Sequence, residues 1–136
     1  VMDMCLEYVR QRQQFKASLG DFQLIQKMLA DSAIEINACR ISLWQSASRI
    51  DAGDEMRAGI SMLKIQASEM LDRVVDRAVQ IFGGAGYCKD LPIERYYRDA
   101  RISRIYDGTS EIHRVVIAKE LIKGNNSLYD SHGKLP

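Results

Sequence analysis

Residues that break helices are rare in this sequence, and their placement restricts the possible folds more than any other feature. The chain of 136 residues has two prolines, both beyond position 90. Between Asp21 and Phe82, the residues that could break a helix are the turn-formers around Gly53 and the isolated Gly59. The sequence therefore predicts two long helices, near Asp21 to Ile50 and near Glu55 to Phe82, that run antiparallel on either side of a tight turn.

The first long helix carries two rows of residues with a seven-residue spacing that favours helix packing. One row is large and apolar, and the row beside it is mostly small. The large row consists of Phe22, Leu29, Ile36, Leu43 and Ile50, and the small row of Ile25, Ser32, Cys39 and Ser46. Small side chains allow another helix to approach closely, so we expect this face to be the seam of a helical bundle.

Shorter segments complete the predicted helices. One helix is expected before Gly20, and a terminal helix is expected from Ile112 to Leu121 because apolar residues recur there at helical spacing. Between the long helices and the terminal one, Pro92 is placed to open a short helix toward Arg98, since proline is favoured in the first helical turn. The sequence thus contains four main helices and one short one.

These elements predict an all-α fold, an antiparallel up-down four-helix bundle over residues 1–124, followed by a polar tail at residues 125–136. Asp54 is expected to cap the second long helix, and residues 84–91 are expected to form a structured loop. The sequence opens in mid-pattern, without an initiator Met or a helix cap. We therefore expect it to be part of a longer protein.

Composition argues against several classes of function. Nineteen basic and eighteen acidic residues give a net charge of +1 without a basic cluster, so we expect no nucleic-acid partner. No run of eighteen apolar residues occurs, which argues against a membrane span or a signal peptide. Two histidines are too few for a metal centre. Cys5, Cys39 and Cys88 are isolated, so we expect free thiols in a reducing compartment.

Two glycine-containing junctions are the candidate ligand sites. In QIFGGAGY, at residues 80–87, a helix runs into a glycine loop where bare backbone could approach a ligand. In IYDGTSEI, at residues 105–112, a carboxylate precedes a glycine at a helix entrance, and Thr109 is a candidate N-cap. Spacing alone leaves the ordinary alternatives open, because a helix C-cap and a simple turn use the same residue types.

Three blocks of the sequence together resemble one protein family. They are RQQF at residues 12–15, followed by Leu19 and Phe22-Gln23; QIFGGAGY at residues 80–87; and PIERYYRDARISRIYDGTSEIHR at residues 92–114. Their order and spacing are similar to those of the C-terminal helical domain of acyl-CoA dehydrogenases, and the resemblance extends from about residue 1 to residue 123. It implies the helical fold of that domain, a flavoenzyme activity and FAD as cofactor.

The resemblance assigns cofactor contacts to residues in each block. It implies that Arg12 reaches across a dimer to the FAD pyrophosphate, a role suited to a planar and permanently charged side chain. Gln80 and the backbone of residues 81–84 would lie along the adenine side of the neighbouring subunit's FAD. The other residues in cofactor-contacting positions are Gln13, Gln14, Phe22, Gln23, Ile81, Phe82, Gly83, Gly84, Thr109, Ser110 and Glu111, the last three toward the FAD of the same subunit.

Asp107 occupies the position of the family's catalytic carboxylate, and Gly108 that of the glycine that contacts substrate. The resemblance implies that Asp107 removes the α-proton of an acyl-CoA thioester while the β-carbon passes a hydride to FAD, which leaves a 2-enoyl-CoA. The backbone N–H of the base would help to bind the thioester carbonyl. The resemblance also implies a homodimer or homotetramer, an electron-transferring flavoprotein as electron acceptor, and the bacterial cytoplasm or mitochondrial matrix as location.

The sequence departs from the family pattern at two positions. Asp107 replaces the usual Glu, which shortens the reach of the base by about 1.5 Å. Members such as nitroalkane oxidases use Asp, whereas isovaleryl-type and long-chain members place the base on an earlier helix. Lys16 replaces the glycine common after the Phe of the first block, which indicates a different turn.

Two alternative functions remain open at this point. One is a flavin-dependent oxidase or monooxygenase of the same superfamily, in which reduced flavin reacts with oxygen. The other is a non-catalytic helical oligomerisation module that has kept the fold and lost the chemistry. We expect the chain by itself to be inactive, since the parts that bind most of the flavin and substrate lie elsewhere. Arg98, Asp99 and Arg101 are interpreted as a structural ion-pair cluster.

Overall fold

The computed structural model describes residues 1–124, and it confirms the all-α prediction for them. The polar tail predicted at residues 125–136 lies outside the described residues. The elements, in chain order, are α1 (Met2–Gln11), β1 (Gln13–Gln14), β2 (Ala17–Ser18), a 3-10 turn (Leu19–Asp21), α2 (Gln23–Asp51), α3 (Arg57–Phe82), α4 (Gly84–Tyr87), α5 (Ile93–Ile102) and α6 (Ser110–Ile122). No helix in this part of the chain is both long and apolar enough to cross a membrane.

The two long helices, α2 and α3, form the predicted antiparallel pair. Glu35 on α2 accepts hydrogen bonds from Arg73 Nε (2.7 Å) and from an Arg77 guanidinium nitrogen (2.6 Å), and these arginines lie one turn apart on α3. Arg77 also donates to the Ser32 hydroxyl, one turn earlier on α2. Moving toward the N-terminus of α2 therefore leads to contacts nearer the C-terminus of α3, as an antiparallel arrangement requires.

The turn between α2 and α3 differs from the prediction in how it is capped. Gly53 has a φ of +88°, a left-handed conformation that glycine adopts without steric strain. The capping role predicted for Asp54 is wrong. Its carboxylate instead accepts a hydrogen bond from Arg49 Nε at 2.7 Å, and α3 begins after Met56 without a side-chain cap. The turn is thus closed by an ion pair to the last turn of α2.

The small row of α2 forms the seam with α3, as the sequence indicates. Ser32, Cys39 and Ser46 are the buried residues of α2, whereas Leu43 and Ile50 of the large row are about half exposed. The Ser32 hydroxyl donates to the Met28 carbonyl at 2.8 Å, so its burial leaves no unpaired donor. Close helix approach is therefore achieved with small side chains, and larger ones remain on the outside of α2.

The most tightly packed core lies where α1 and α5 meet the C-terminal half of α3. It consists of Cys5, Val9, Ala78, Ile81, Phe82 and Ile93. Ile93, the first residue of α5, has no exposed surface. The ring of Tyr8 stacks on that of Phe82 at a centroid distance of 4.1 Å. This packing brings the end of α1 next to the end of α3, where the predicted loop at residues 84–91 begins with the one-turn helix α4.

A short hairpin between α1 and α2 was not expected from the sequence. Gln13 pairs with Ser18 and Gln14 with Ala17, and the two turn residues, Phe15 and Lys16, have φ values of 52° and 65°. Left-handed backbone at both positions is characteristic of a type I′ turn, which normally uses Asn or Gly. The sequence lacks the Asn-Gly type of pair that usually indicates such a turn, and the hairpin could not be predicted from it.

The ion-pair cluster predicted for Arg98, Asp99 and Arg101 is wrong. Arg98 instead pairs with Glu94 at 2.8 Å, and Asp99 pairs with Arg95 at 3.4 Å, each within one turn of α5. Arg101 forms no ion pair with any residue of the described range. Successive turns of α5 place these charges side by side along one helix, so the pairing is local.

The Lys16→Gly substitution is expected to stabilise the protein. A non-glycine residue in the left-handed region costs about 1–2 kcal/mol, and the greater unfolded-state entropy of glycine offsets about 0.5–1 kcal/mol of that gain. We therefore expect the free energy of unfolding to rise by roughly 0.5–1 kcal/mol, as measured by urea denaturation. Ala17→Gly, in the adjacent extended strand, is the control and should lower stability. An equal or lower midpoint for Lys16→Gly would contradict the left-handed turn.

The Glu35 pairing predicts a defined dependence of stability on pH. Partial burial acts to raise the pKa of the Glu35 carboxyl, but the hydrogen bonds from Arg77 and Arg73 outweigh it and hold the pKa below its ordinary value. Because the folded pKa is lowered, ionised Glu35 stabilises the fold above its unfolded pKa of about 4.3. This contribution is lost as pH falls through the folded pKa.

Glu35→Gln should therefore destabilise the protein at neutral pH and reduce the further loss of stability between about pH 5 and pH 3. Urea midpoints measured in pH steps across this range would show the effect. Glu55→Gln, at an exposed residue without an ion pair in the described range, is the control. A Glu35→Gln curve parallel to that of the unmodified protein would show that this pairing does not contribute.

Candidate functional site

The predicted site residues fall into three groups in the fold. The hairpin group contains Arg12, Gln13, Gln14, Phe22 and Gln23; the glycine segment is residues 80–84; and the acidic loop is residues 107–111. Lys64, on the N-terminal part of α3, contacts the acidic loop, whereas the glycine segment ends α3. The nineteen residues of helix from Lys64 to Gly83 rise by about 28 Å. One copy of the chain therefore does not bring the acidic loop and the glycine segment together.

Arg12 has a firmly held backbone and an unengaged side chain. Its N–H donates to the Tyr8 carbonyl and its carbonyl accepts from the Leu19 N–H, both at 2.8 Å. The Ser18 hydroxyl also donates to the Val9 carbonyl at 2.8 Å, which ties the hairpin to α1. The Arg12 side chain is exposed and forms no ion pair with a residue in the described range. A guanidinium in this setting is free to bind a phosphate or a carboxylate.

The remaining members of the hairpin group lie close to Arg12. Gln13 and Gln14 are exposed on β1, and Gln23 is the exposed first residue of α2. Phe22 is partly buried and packs edge-on against the ring of Phe15, with centroids 6.3 Å apart. The structure therefore brings the predicted residues of the first block into one unit formed by the hairpin and the entrance to α2.

The glycine segment presents backbone rather than side chains. Ile81 and Phe82 are 5% and 6% exposed, and both belong to the hydrophobic core. Any ligand contact at these two residues must therefore come from the main chain. Gln80 is exposed on the last turn of α3 and can offer its amide. The Phe82 carbonyl lies 3.5 Å from the Tyr8 hydroxyl, so it is partly engaged within the chain.

Gly83, Gly84 and Gly86 differ in whether backbone conformation or packing requires a glycine. Gly83 has a φ of +59° with a ψ of −139°, a combination that side chains rarely allow. A Cβ on Gly86 would lie 2.7 Å from Phe82 Cβ, so packing within the chain excludes one. Gly84 has neither restriction, because a Cβ there would have nothing within 4 Å. The fold of the described residues gives no reason for glycine at position 84, which fits the close approach of a molecule from outside.

The acidic loop contains two consecutive residues in left-handed conformation. Asp107 has a φ of 54° and Gly108 a φ of +92°. Asp107 is exposed, and its carboxylate forms no ion pair within residues 1–124. Its N–H donates to no acceptor in the same range. A non-glycine residue in this conformation stores strain of about 1–3 kcal/mol, which is typical of residues held for a function.

Three polar residues that the sequence analysis did not select hold this loop. His113 Nε2 lies 3.1 Å from the Asp107 carbonyl, and His113 Nδ1 lies 3.1 Å from the Ser61 hydroxyl. Lys64 Nζ donates to the Gly108 carbonyl at 2.5 Å. The contact between His113 and Asp107 spans six residues, whereas the two contacts that involve α3 join positions 44 and 52 residues apart. No local pattern marks them, which explains why sequence reasoning missed them.

Thr109 is confirmed as the N-cap of α6, since its Oγ1 accepts a hydrogen bond from the Ile112 N–H at 3.2 Å. The pKa of the Glu111 carboxyl lies below its ordinary value, because the carboxylate accepts hydrogen bonds from the Glu111 backbone N–H and from the Thr109 hydroxyl. Ser110 has no exposed surface, and its Oγ has no partner within the described residues. The cofactor contact predicted for Ser110 stays a prediction, and its side chain does not face the surface of this chain.

Comparison with known protein families identifies one family over nearly the whole described range. The family model described as "Acyl-CoA dehydrogenase, C-terminal domain" matches residues 1–122. The short-chain specific acyl-CoA dehydrogenase of Bos taurus mitochondria is 41% identical over 126 residues, which is 93% of this chain and 31% of that protein. The chain thus spans about a third of the length of such relatives.

Solved structures give the same result in three dimensions. Butyryl-CoA dehydrogenase from Megasphaera elsdenii matches with a TM-score of 0.86 and 37% identity, over 89% of this chain and 32% of that one. A structure described as the FAD complex of PigA matches with a TM-score of 0.84 and 32% identity, over 88% of this chain and 31% of that one. Since the family model covers all six helices of the described range, this chain belongs to the acyl-CoA dehydrogenase C-terminal domain family.

Proposed function

We propose that this chain is the C-terminal domain of a flavin-dependent acyl-CoA dehydrogenase in which Asp107 is the base. The observation that carries the proposal is the acidic loop. Asp107 is exposed, left-handed and unpaired, and it directly precedes Gly108 at the entrance to α6. That conformation is typical of residues held for a function, and here it presents an unpaired carboxylate next to a glycine.

The chemistry follows from two groups of the same residue. The Asp107 carboxylate accepts the proton from the carbon α to the thioester, and the Asp107 N–H, which has no acceptor within residues 1–124, donates to the thioester oxygen as negative charge develops there. When bound, FAD supplies the acceptor for the hydride that leaves the β-carbon. Loss of one proton and one hydride leaves the carbon–carbon double bond of a 2-enoyl-CoA. An electron-transferring flavoprotein is the proposed final electron acceptor.

The residues of the other two groups fit a flavin dinucleotide. Arg12 offers an exposed guanidinium without a carboxylate partner in the described range, as a pyrophosphate contact requires. The backbone of Gly84 is accessible, and no neighbouring atom of the described residues lies close enough to require a glycine there. Gln13, Gln14, Gln23 and Gln80 add exposed amides that can donate to phosphate, ribose or base. A cofactor that lies along these two segments would contact backbone and polar groups without a side chain in its path.

The separation along α3 supports a cofactor shared between subunits. The acidic loop and the glycine segment are about 28 Å apart along that helix. We therefore assign the hairpin group and the glycine segment to the FAD of a neighbouring subunit, and Thr109 to Glu111 to the FAD of the same subunit. The proposed assembly is a homodimer or homotetramer. Ile34, Ile41 and Trp44 on α2 are 66%, 54% and 65% exposed, which supports burial of this helix face in the assembled enzyme.

The Arg12→Ala substitution in the full-length protein is expected to weaken FAD binding about 10- to 100-fold, because hydrogen bonds to a charged group contribute about 1.5–3 kcal/mol. Arg12→Lys should restore binding only in part, since an ammonium lacks the planar fork. Flavin retained per subunit after dilution is the measurement. Arg10→Ala, at an exposed arginine of α1, is the matched control. Unchanged flavin occupancy in Arg12→Ala would remove Arg12 from the proposed site.

The Asp107→Asn substitution is expected to slow substrate-dependent flavin bleaching by a factor of about 100 to 10,000, the usual cost of losing a general base. Flavin and acyl-CoA should still bind, because the shape of the side chain is nearly preserved. Asp107→Glu should retain activity and change the acyl preference. Asp90→Asn, in the exposed connection before α5, is the control. If Asp107→Asn bleaches at the wild-type rate, the base lies on another part of the enzyme and the assignment fails.

A further inference from the structure

Two carbonyl groups of the acidic loop contact side chains that link the loop to α3, one from α3 itself and one from α6. Lys64 Nζ donates to the Gly108 carbonyl at 2.5 Å. His113 bridges the Asp107 carbonyl and the Ser61 hydroxyl, at 3.1 Å on each side. We infer that Lys64 and His113 are positioning residues that hold Asp107 in its left-handed conformation for proton abstraction. This inference rests on the proposed function of Asp107 as the base.

The backbone geometry shows what these two ties restrain, which is the chain on the C-terminal side of Asp107. The Asp107 carbonyl belongs to the peptide plane that follows Asp107, and the Gly108 carbonyl to the next plane. When both planes are held, φ and ψ of Gly108 are restricted, and the peptide that follows Asp107 keeps its orientation. The Ser110 N–H donates to the Arg104 carbonyl at 3.1 Å and closes the loop from the other side. Contacts from outside the residue therefore oppose rotation of the backbone that follows the Asp107 Cα.

In the neutral ring, the two hydrogen-bond partners of His113 select one tautomer. A carbonyl oxygen can only accept, so Nε2 must carry the proton that it donates to Asp107. Nδ1 then accepts from the Ser61 hydroxyl, which is 4% exposed and needs a partner. Both ring nitrogens are occupied, and the ring therefore acts as a spacer between α3 and the loop. A Cβ on Gly108 would lie 2.9 Å from His113 Nε2, so glycine is also required for the ring to approach.

Lys64 contributes a charged donor where a neutral one would be weaker. It is half-buried on α3 and forms no ion pair with any residue in the described range. Its hydrogen bond to Gly108 is therefore charge-assisted, which makes it about twice as strong as a neutral pair. The left-handed conformation of Asp107 is strained. Without these ties, we expect the loop to relax to conformations that no longer present the carboxylate.

The test uses variants of the full-length, FAD-loaded protein. Lys64→Met keeps side-chain length and removes the donor; His113→Phe keeps the ring and removes both hydrogen bonds. Each should slow substrate-dependent flavin bleaching about 10- to 100-fold, the usual effect of a misplaced catalytic group, with little change in acyl-CoA affinity. His113→Gln has one donor and one acceptor on the same amide and should restore most of the rate. Lys119→Met, at an exposed lysine of α6, is the control.

Two further readouts separate positioning from general stability. Hydrogen exchange of the amides at residues 107–110 should accelerate in Lys64→Met and His113→Phe but not in Lys119→Met. An acyl-CoA substrate with deuterium at the α-carbon should show a larger isotope effect on bleaching in both variants, because proton abstraction becomes more rate-limiting, while β-deuteration should show no such increase. A loosened loop with an unchanged bleaching rate would overturn the inference.

The Asp107→Asn background distinguishes this inference from the proposed function. If Lys64 acts through Asp107, adding Lys64→Met to Asp107→Asn should slow bleaching by less than threefold, far less than in the unmodified protein. A full, independent loss of rate in the double variant would overturn the positioning role. If Asp107→Asn alone is fully active, the proposed function fails. If Asp107→Asn is impaired while Lys64→Met and His113→Phe are both fully active, only the positioning role fails.

Discussion

The burial of α3 is the interaction on which the rest of this structure depends. Helices α1, α2, α5 and α6 all pack against it. Its N-terminal part is buried through small residues such as Gly59 and Ser61, and its C-terminal part through Val75, Ala78 and Phe82. One continuous helix therefore supports the acidic loop near its start and the glycine segment at its end. The distance between these two regions is determined by helix rise and not by loop conformation.

Two buried serine hydroxyls, one on α2 and one on α3, form hydrogen bonds within their own helices. The Ser32 hydroxyl donates to the Met28 carbonyl and the Ser68 hydroxyl to the Lys64 carbonyl, both at 2.8 Å. Ser61 differs, because its hydroxyl contacts His113 and so links the seam to the acidic loop. Buried serines therefore allow close helix packing at Ser32 and Ser68, and at Ser61 a buried serine also contacts the histidine that holds the acidic loop. The larger apolar residues of α2 remain outside, where a longer protein or a second subunit can cover them.

Left-handed backbone occurs in the hairpin, the glycine segment and the acidic loop, and the last two accommodate it differently. At Gly83 the absence of a Cβ removes the strain. At Asp107 a side chain is present, and hydrogen bonds from His113 and Lys64 to the following carbonyls oppose relaxation of the loop. A glycine at position 107 would remove the strain but could not accept a proton. The strain is therefore found where the proposed chemistry needs a carboxylate.

The helical periodicity and the Thr109 cap could be predicted from the sequence, as could the ends of α2 and α3 to within a few residues. The motif blocks that indicate the family could also be recognised there. Each of these features depends on residues that lie close together in the chain. The tertiary structure was needed to show that Phe15 and Lys16 form a type I′ turn and that Lys64 and His113 hold the acidic loop. These features depend on contacts between residues far apart in sequence or on backbone strain that other contacts offset, and local patterns carry no information about either.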